Sequence, residues 1–175
     1  MSKDCRAVRT ALERDGLLLL QDKVLRSVAA IIAGETISGS WWSHPKSQVI
    51  FNCLESLEDE GDVVATRLAG GKVTFVHRKL WPALLAVATA SEAWQTNGLN
   101  ERTAKTLQER LLMHGEEVHT ESGKHQTVLQ PWSEWGAKHG VERMTAIDAA
   151  REQLEAAVAK IGGKAALLPW HRFAR

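Results

Sequence analysis

Residues 43–77 read SHPKSQVIFNCLESLEDEGDVVATRLAGGKVTFVH, and the way this stretch folds decides the architecture. Its first part predicts an amphipathic helix beginning near Ser43, with Pro45 in the first turn, where a missing amide is harmless. The apolar stripe of that helix is Val49, Ile50, Cys53, Leu54 and Leu57. After Gly61 the pattern becomes that of strands. Asp62 to Ala69, Gly70-Gly71 and Lys72 to His77 form the signature of a hairpin closed by a two-residue turn. Such a turn sets Leu68 opposite Val73, Thr66 opposite Phe75 and Val64 opposite His77. One apolar face can then close over the helix, leaving Arg67 and Lys72 to solvent or a ligand.

Upstream, residues 3–14 have helix-forming composition with Val8, Ala11 and Leu12 on one side, ended by Gly16. A second helix is expected over Asp22 to Ala33, its stripe including Val24, Leu25, Val28, Ile31 and Ile32, with Gly34 as its stop. Downstream, Lys79 to Trp94 is apolar through Ala90 and predicts a central buried helix or a pair of short ones. A related order follows: a helix over Asn100 to His114, strands Glu116 to Glu121 and His125 to Gln130, and a turn at Ser122-Gly123-Lys124. The last helix starts with Thr145 as cap and Asp148 three residues on, presents Ile147, Ala150, Leu154, Val158 and Ile161 to the core, and stops at Gly162-Gly163. The expected fold is mainly α with two short β-hairpins, arranged as winged-helix-like units over 1–97 and 98–175. The two units suggest a duplication of structure more than of sequence.

The charge balance narrows the function classes. Lys and Arg total 22 against 21 for Asp and Glu, so no broad cationic field of a strong nucleic-acid or membrane binder is expected. The longest apolar stretch, Leu80 to Ala90, is shorter than the ~20 residues a membrane crossing needs. The charged N-terminus has no apolar segment of the signal-peptide kind, so a cytoplasmic location without membrane association is expected. Of the two cysteines, Cys53 falls on the apolar stripe of the third helix and reads as a small hydrophobe; neither a disulfide framework nor a cysteine zinc site is expected.

Three blocks, SWWSHP at 40–45, VTFVHRKLWP at 73–82 and EVHTESGKH at 117–125, resemble a family of small bacterial proteins that brings no established activity with it. In element order alone the chain resembles winged-helix proteins, whose third helix enters the DNA major groove while the hairpin touches the backbone. More loosely it resembles the tandem winged-helix DNA glycosylases, but their glutamine-x-glutamine catalytic motif is missing here.

On the winged-helix reading, Lys46, Gln48 and Asn52 read or position, Arg67 and Lys72 clamp phosphates, and Lys124 does the same on the second hairpin. Against it, Glu55, Glu58, Asp59, Glu60 and Asp62 form an acidic end that repels phosphates. Trp41 and Trp42 cannot both face one way; the expectation is that both are packed between helices, and the alternative is that one anchors the core while the other offers a stacking surface. A rival pocket draws on Trp41, Trp42, His44, His77, His119 and His125 as a histidine site for acid-base chemistry or a metal. A three-residue loop at 122–124 sets His119 and His125 on one face, and a two-residue loop sets them on opposite faces. Nucleophile-elbow and phosphate-loop motifs are absent. The apolar tail from Ala165 to Phe173 should dock on its own chain or, alternatively, on a second copy to give a homodimer. The expectation is a non-catalytic binding module with DNA as ligand and no cofactor or metal; the alternatives are a small enzyme with that histidine and tryptophan pocket, or an interaction module using the tail.

Overall fold

Helix α1 (Lys3–Asp15) starts where the Ser2 hydroxyl accepts the Cys5 N–H at 3.2 Å and ends where Gly16, at φ 90°, donates its N–H to Leu12 O. These observations come from a computed structural model that describes residues 2–174, apart from the side chain of His119. A side chain at Gly16 would meet Leu80 Cδ1 at 2.7 Å, so both the turn and the packing require glycine. Cys5, Val8, Ala11 and Leu12 are buried, one stripe of the helix.

Strand β1 (Leu17–Leu19) follows at once, an element the sequence reading lacked. Helix α2 is shorter than expected, Val28–Ala33. Residues 22–27 form a loop because the Asp22 carboxylate accepts the Val24 and Leu25 N–H groups at 2.8 Å each. Ser27 then caps the helix through Ala30 N–H. Val24 is correspondingly 86% exposed rather than on a buried stripe. Helix α3 is Ser47–Asp59, so Pro45 precedes the helix instead of opening it; Ile50, Cys53 and Leu57 are buried as expected.

Strands β2 (Val63–Thr66) and β3 (Thr74–His77) pair antiparallel, and β1 pairs with the other side of β3, giving a three-stranded sheet of order β1-β3-β2. The register corrects the expected one by a residue: Val63 faces His77, Val64 Val76, Ala65 Phe75 and Thr66 Thr74. The connection is correspondingly a loop over 67–73 and not a two-residue turn. Leu68 and Ala69 are pulled inward and buried, the Ala69 N–H donates to Thr74 Oγ1, and the Gly70 N–H donates to Leu167 O at 2.8 Å. The apolar pull on Leu68 and Ala69 outweighs two further ladder positions.

The cysteines also differ from expectation. Cys5 and Cys53 form a disulfide between α1 and α3, with a Cα–Cα distance of 5.3 Å, and both are 2% exposed. The apolar stripe on which Cys53 sits is what carries it against α1.

The second half is built on α4 (Trp81–Ala88), buried along its length except at Pro82, and packed against α7 (Ile147–Lys160). Helix α5 (Ala104–Glu109) is much shorter than the expected 100–114. Strands β4 (His114–His119) and β5 (His125–Gln130) pair His119 with His125 across a five-position loop at 120–124, longer than either loop considered for this turn. This sheet has two strands and lacks the third that β1 supplies to the first. Helix α6 (Trp132–Lys138) was not foreseen; a side chain at Gly136 would meet Leu85 Cδ2 at 2.6 Å, which measures how closely it lies on α4. Helix α7 begins after Ala146 with no side-chain cap, which replaces the expected cap at Thr145. The tail forms α8 (Pro169–Arg172), where Leu168, Pro169 and Trp170 are buried against their own chain and Trp170 Nε1 donates to Glu155. The chain is thus a mixture of helices with two small antiparallel sheets, more β in character than expected. Among the described residues no helix is long and apolar enough to cross a membrane.

The disulfide closes a loop between residues 48 apart in sequence. Replacing both cysteines by serine is expected to lower unfolding stability by about 2–4 kcal/mol, measured by urea titration under non-reducing conditions. An unchanged midpoint and slope would show that the bond adds nothing to the packing around it.

Candidate nucleic-acid interface

The outward face of α3 carries Gln48, Asn52, Glu55 and Asp59, all exposed. Gln48 Nε2 donates to Asn52 Oδ1 at 2.8 Å, an i,i+4 bond that aligns the two amides on one strip. Lys46 is exposed, but its ammonium donates to Ile32 O at 2.8 Å, where it caps the carboxyl end of α2. At the other end of α3, Arg9 of α1 binds Glu60, Ser56 O and Ser56 Oγ, tying the two helices together. The Glu58 carboxyl is raised above its ordinary range by desolvation, and further by Glu117, Asp59, Glu116 and Glu55. The acidic end of α3 therefore faces an acidic edge of β4.

Trp41 is buried, whereas Trp42 is 60% exposed. Their rings stack at 4.0 Å with 25° between planes, and Trp42 also lies 5.7 Å from Phe51 on α3. The buried ring backs the exposed one, which leaves a braced aromatic surface beside the helix.

The hairpin cations are occupied within the fold. Lys72 Nζ donates to Asp22 Oδ2 at 2.5 Å, and Arg67 Nη1 donates to Gly71 O at 3.2 Å. Gly70 and Gly71 do not tip a protruding ribbon: a side chain at Gly71 would meet Glu109 Oε1 at 2.8 Å and Arg172 Nη1 at 3.1 Å. The second hairpin does stand in solvent. Its Lys124 is exposed, with Glu116, Glu117 and Glu121 exposed on the same hairpin.

The histidines are held by different neighbours. His44 accepts the Lys46 N–H at Nδ1, which makes Nε2 the donor to Glu35 at 3.3 Å, so neither ring nitrogen is left to take a proton from a hydroxyl. The cavity of about 240 Å³ beside it is lined by residues of the 35–45 loop. His77 accepts the Lys79 N–H, and burial, with Lys79 nearby, lowers its pKa. His125 is exposed on β5 opposite the backbone of His119, whose side chain lies outside the described residues. Among the described residues no group of three His, Cys, Asp or Glu could hold a metal ion.

Two clusters escaped the sequence reading. One is basic: Lys3, Arg6, Thr10 and Arg14 line a groove beside Arg26 and Ile31, with a cavity volume of about 420 Å³. Their spacing along α1 is a helical stripe, a signal legible in principle but obscured by Asp4, Glu13 and Asp15 in the same segment. The other is aromatic: His114 is packed against Trp132 and Trp135, with ring centroids at 5.0 and 5.8 Å, and Trp81 and His139 flank Trp135. Compared with protein-family models, curated proteins and solved structures, the chain matches none.

His114 is 6% exposed, and burial, followed by the nearby His139 and Lys138, lowers its pKa from 6.5 to about 4. The unfolded chain therefore takes up this proton before the native one does. Its contribution leaves stability unaffected well above pH 6.5 and removes stability as pH falls towards 4, by about 3 kcal/mol in all. His114→Phe, which fills the aromatic site without titrating, should flatten the fall in stability between pH 7.5 and pH 4 relative to the wild type. Equal slopes in urea melts of the two proteins would refute this assignment.

Proposed function

We propose that this chain is a non-catalytic nucleic-acid-binding protein of winged-helix type, with DNA as its preferred ligand. The observation that carries the reading is topological. The order α1-β1-α2-α3-β2-β3 with a sheet of order β1-β3-β2 resembles that of a winged helix, and Gln48, Asn52, Glu55 and Asp59 on the outer face of α3 are exposed. A recognition helix contacts bases mainly from its N-terminal half. Gln48 and Asn52 lie in that half of α3, and their amides suit the two-point contact made to adenine.

The exposed Trp42 ring adds a surface on which a base can stack. The acids at 55–60 confine close approach to the opposite end of the helix, where Trp42 and Gln48 lie. With both ring nitrogens of His44 bonded, that histidine suits a structural role better than acid-base chemistry.

Fluorescence anisotropy with short labelled duplexes at low salt tests the reading. Binding should weaken with salt and quench tryptophan emission. Changing Gln48 and Asn52 together to alanine should cost about 1–3 kcal/mol per lost adenine contact on the preferred sequence and relax discrimination there. Absence of any binding at low salt would overturn the proposal.

A further inference from the structure

We infer that the groove between α1 and residues 26–31 holds the phosphate backbone of the bound nucleic acid, a role separate from base contact at α3. This rests on the nucleic-acid reading above. Four cations, Lys3, Arg6, Arg14 and Arg26, line the groove in a protein whose formal net charge is only +1. Among the described residues the lining contains no carboxylate.

Among the described residues the one acid in an ion pair with these cations is Asp15, and it is 4% exposed. Arg14 binds it through Nε and Nη2, both at 2.6 Å, and Arg26 through Nη1 at 3.1 Å. A buried carboxylate thus holds Arg14 by one edge and Arg26 through a single nitrogen, while their side chains remain 54% and 46% exposed. The Arg14 guanidinium, held at two points, keeps its Nη1 donors turned away from Asp15, which suits tetrahedral phosphate oxygens. Preorganisation of this kind lowers the entropy lost when a ligand is bound.

Lys3 and Arg6 have no ion-pair partner among the described residues, so their charge is available at the exposed end of the groove. From Lys3 to Arg14 the helix rises about 16 Å, a span of several phosphates along a nucleic-acid strand. The groove is shallow and open, and its apolar residues, Ala7, Ala11 and Ile31, are short or half-buried. That shape favours a strand over a bilayer, where insertion needs protruding apolar side chains. Arg9 belongs to a different side of the same helix, turned to Ser56 and Glu60 of α3.

The test compares the wild type, Lys3→Ala/Arg6→Ala, Gln48→Ala/Asn52→Ala and the charge-matched control Lys138→Ala/Lys160→Ala, each checked by circular dichroism, in anisotropy titrations with duplex DNA across salt concentrations. Lys3 and Arg6 are chosen because removing Arg14 or Arg26 would also strip a partner from buried Asp15. The groove variant should bind about tenfold more weakly at low salt and lose about two from the slope of log affinity against log salt. The control should match the wild type. Wild-type DNA binding that survives unchanged in the groove variant while the Gln48/Asn52 variant is impaired would overturn this inference and leave the function standing. An equal loss in the control would also overturn it, by reducing the effect to net charge. No DNA binding by any protein defeats both readings, and binding to phosphatidylserine vesicles in place of DNA identifies the groove as a membrane contact and defeats them too.

Discussion

Strand β3 is the element on which both halves of the molecule depend. Its two edges are taken by β1 and β2, so each flanking strand is held only while β3 stays in register. Its ends are tied as well: His77 N–H donates to Gly16 O at 2.8 Å, and Leu20 N–H donates to Val73 O at 2.9 Å just beyond the strand. The Val76 carbonyl accepts the indole N–H of Trp81 at 3.0 Å, which joins the sheet to α4. Trp81 in turn packs edge-on against Trp135, linking the second half to the same strand. With Phe75 and Val76 both buried, hydrogen bonding and apolar burial act on the same few residues.

The near-neutral total conceals a separation of charge. Cations collect where α1 turns away from α3, and acids collect at the carboxyl end of α3 and along β4. Arg9 is the boundary, a cation of α1 spent on Glu60. An anion approaching this surface meets repulsion at one end of α3 and attraction on the other side of α1.

The parts legible in the sequence are those decided by local periodicity. The stripes of α1, α3 and α7 place Leu12, Ile50, Leu154 and Val158 in the core, and the uniformly apolar run after Trp81 becomes the buried α4. Trp42, expected to be packed like Trp41, is instead exposed, with its ring stacked on that of its buried neighbour. What the sequence did not disclose was settled by distant partners. Leu17 to Leu19 has no alternation to mark it as a strand; it is one because β3 offers an open edge. The hairpin register depends on where Leu68 and Ala69 find burial, and the spacing of Gly70 and Gly71 carries no information about that. Cys53 fits an apolar stripe equally well as a thiol or as half of a bond, and only the packing of α1 decides between them. Of the candidate site, the exposure of Gln48 and Asn52 could be read from helical phase. The occupation of Lys72 by Asp22 and of Lys46 by Ile32 O could not, because both partners lie on other elements.

The hydrogen bond from Gly70 to Leu167 joins positions far apart along the chain. Contacts of that separation are entropically expensive to reach early, since a long flexible segment must be closed before they repay anything. The loop of the first hairpin is therefore sealed late on the folding path. Any apolar surface still open at that stage is where unfinished molecules would associate.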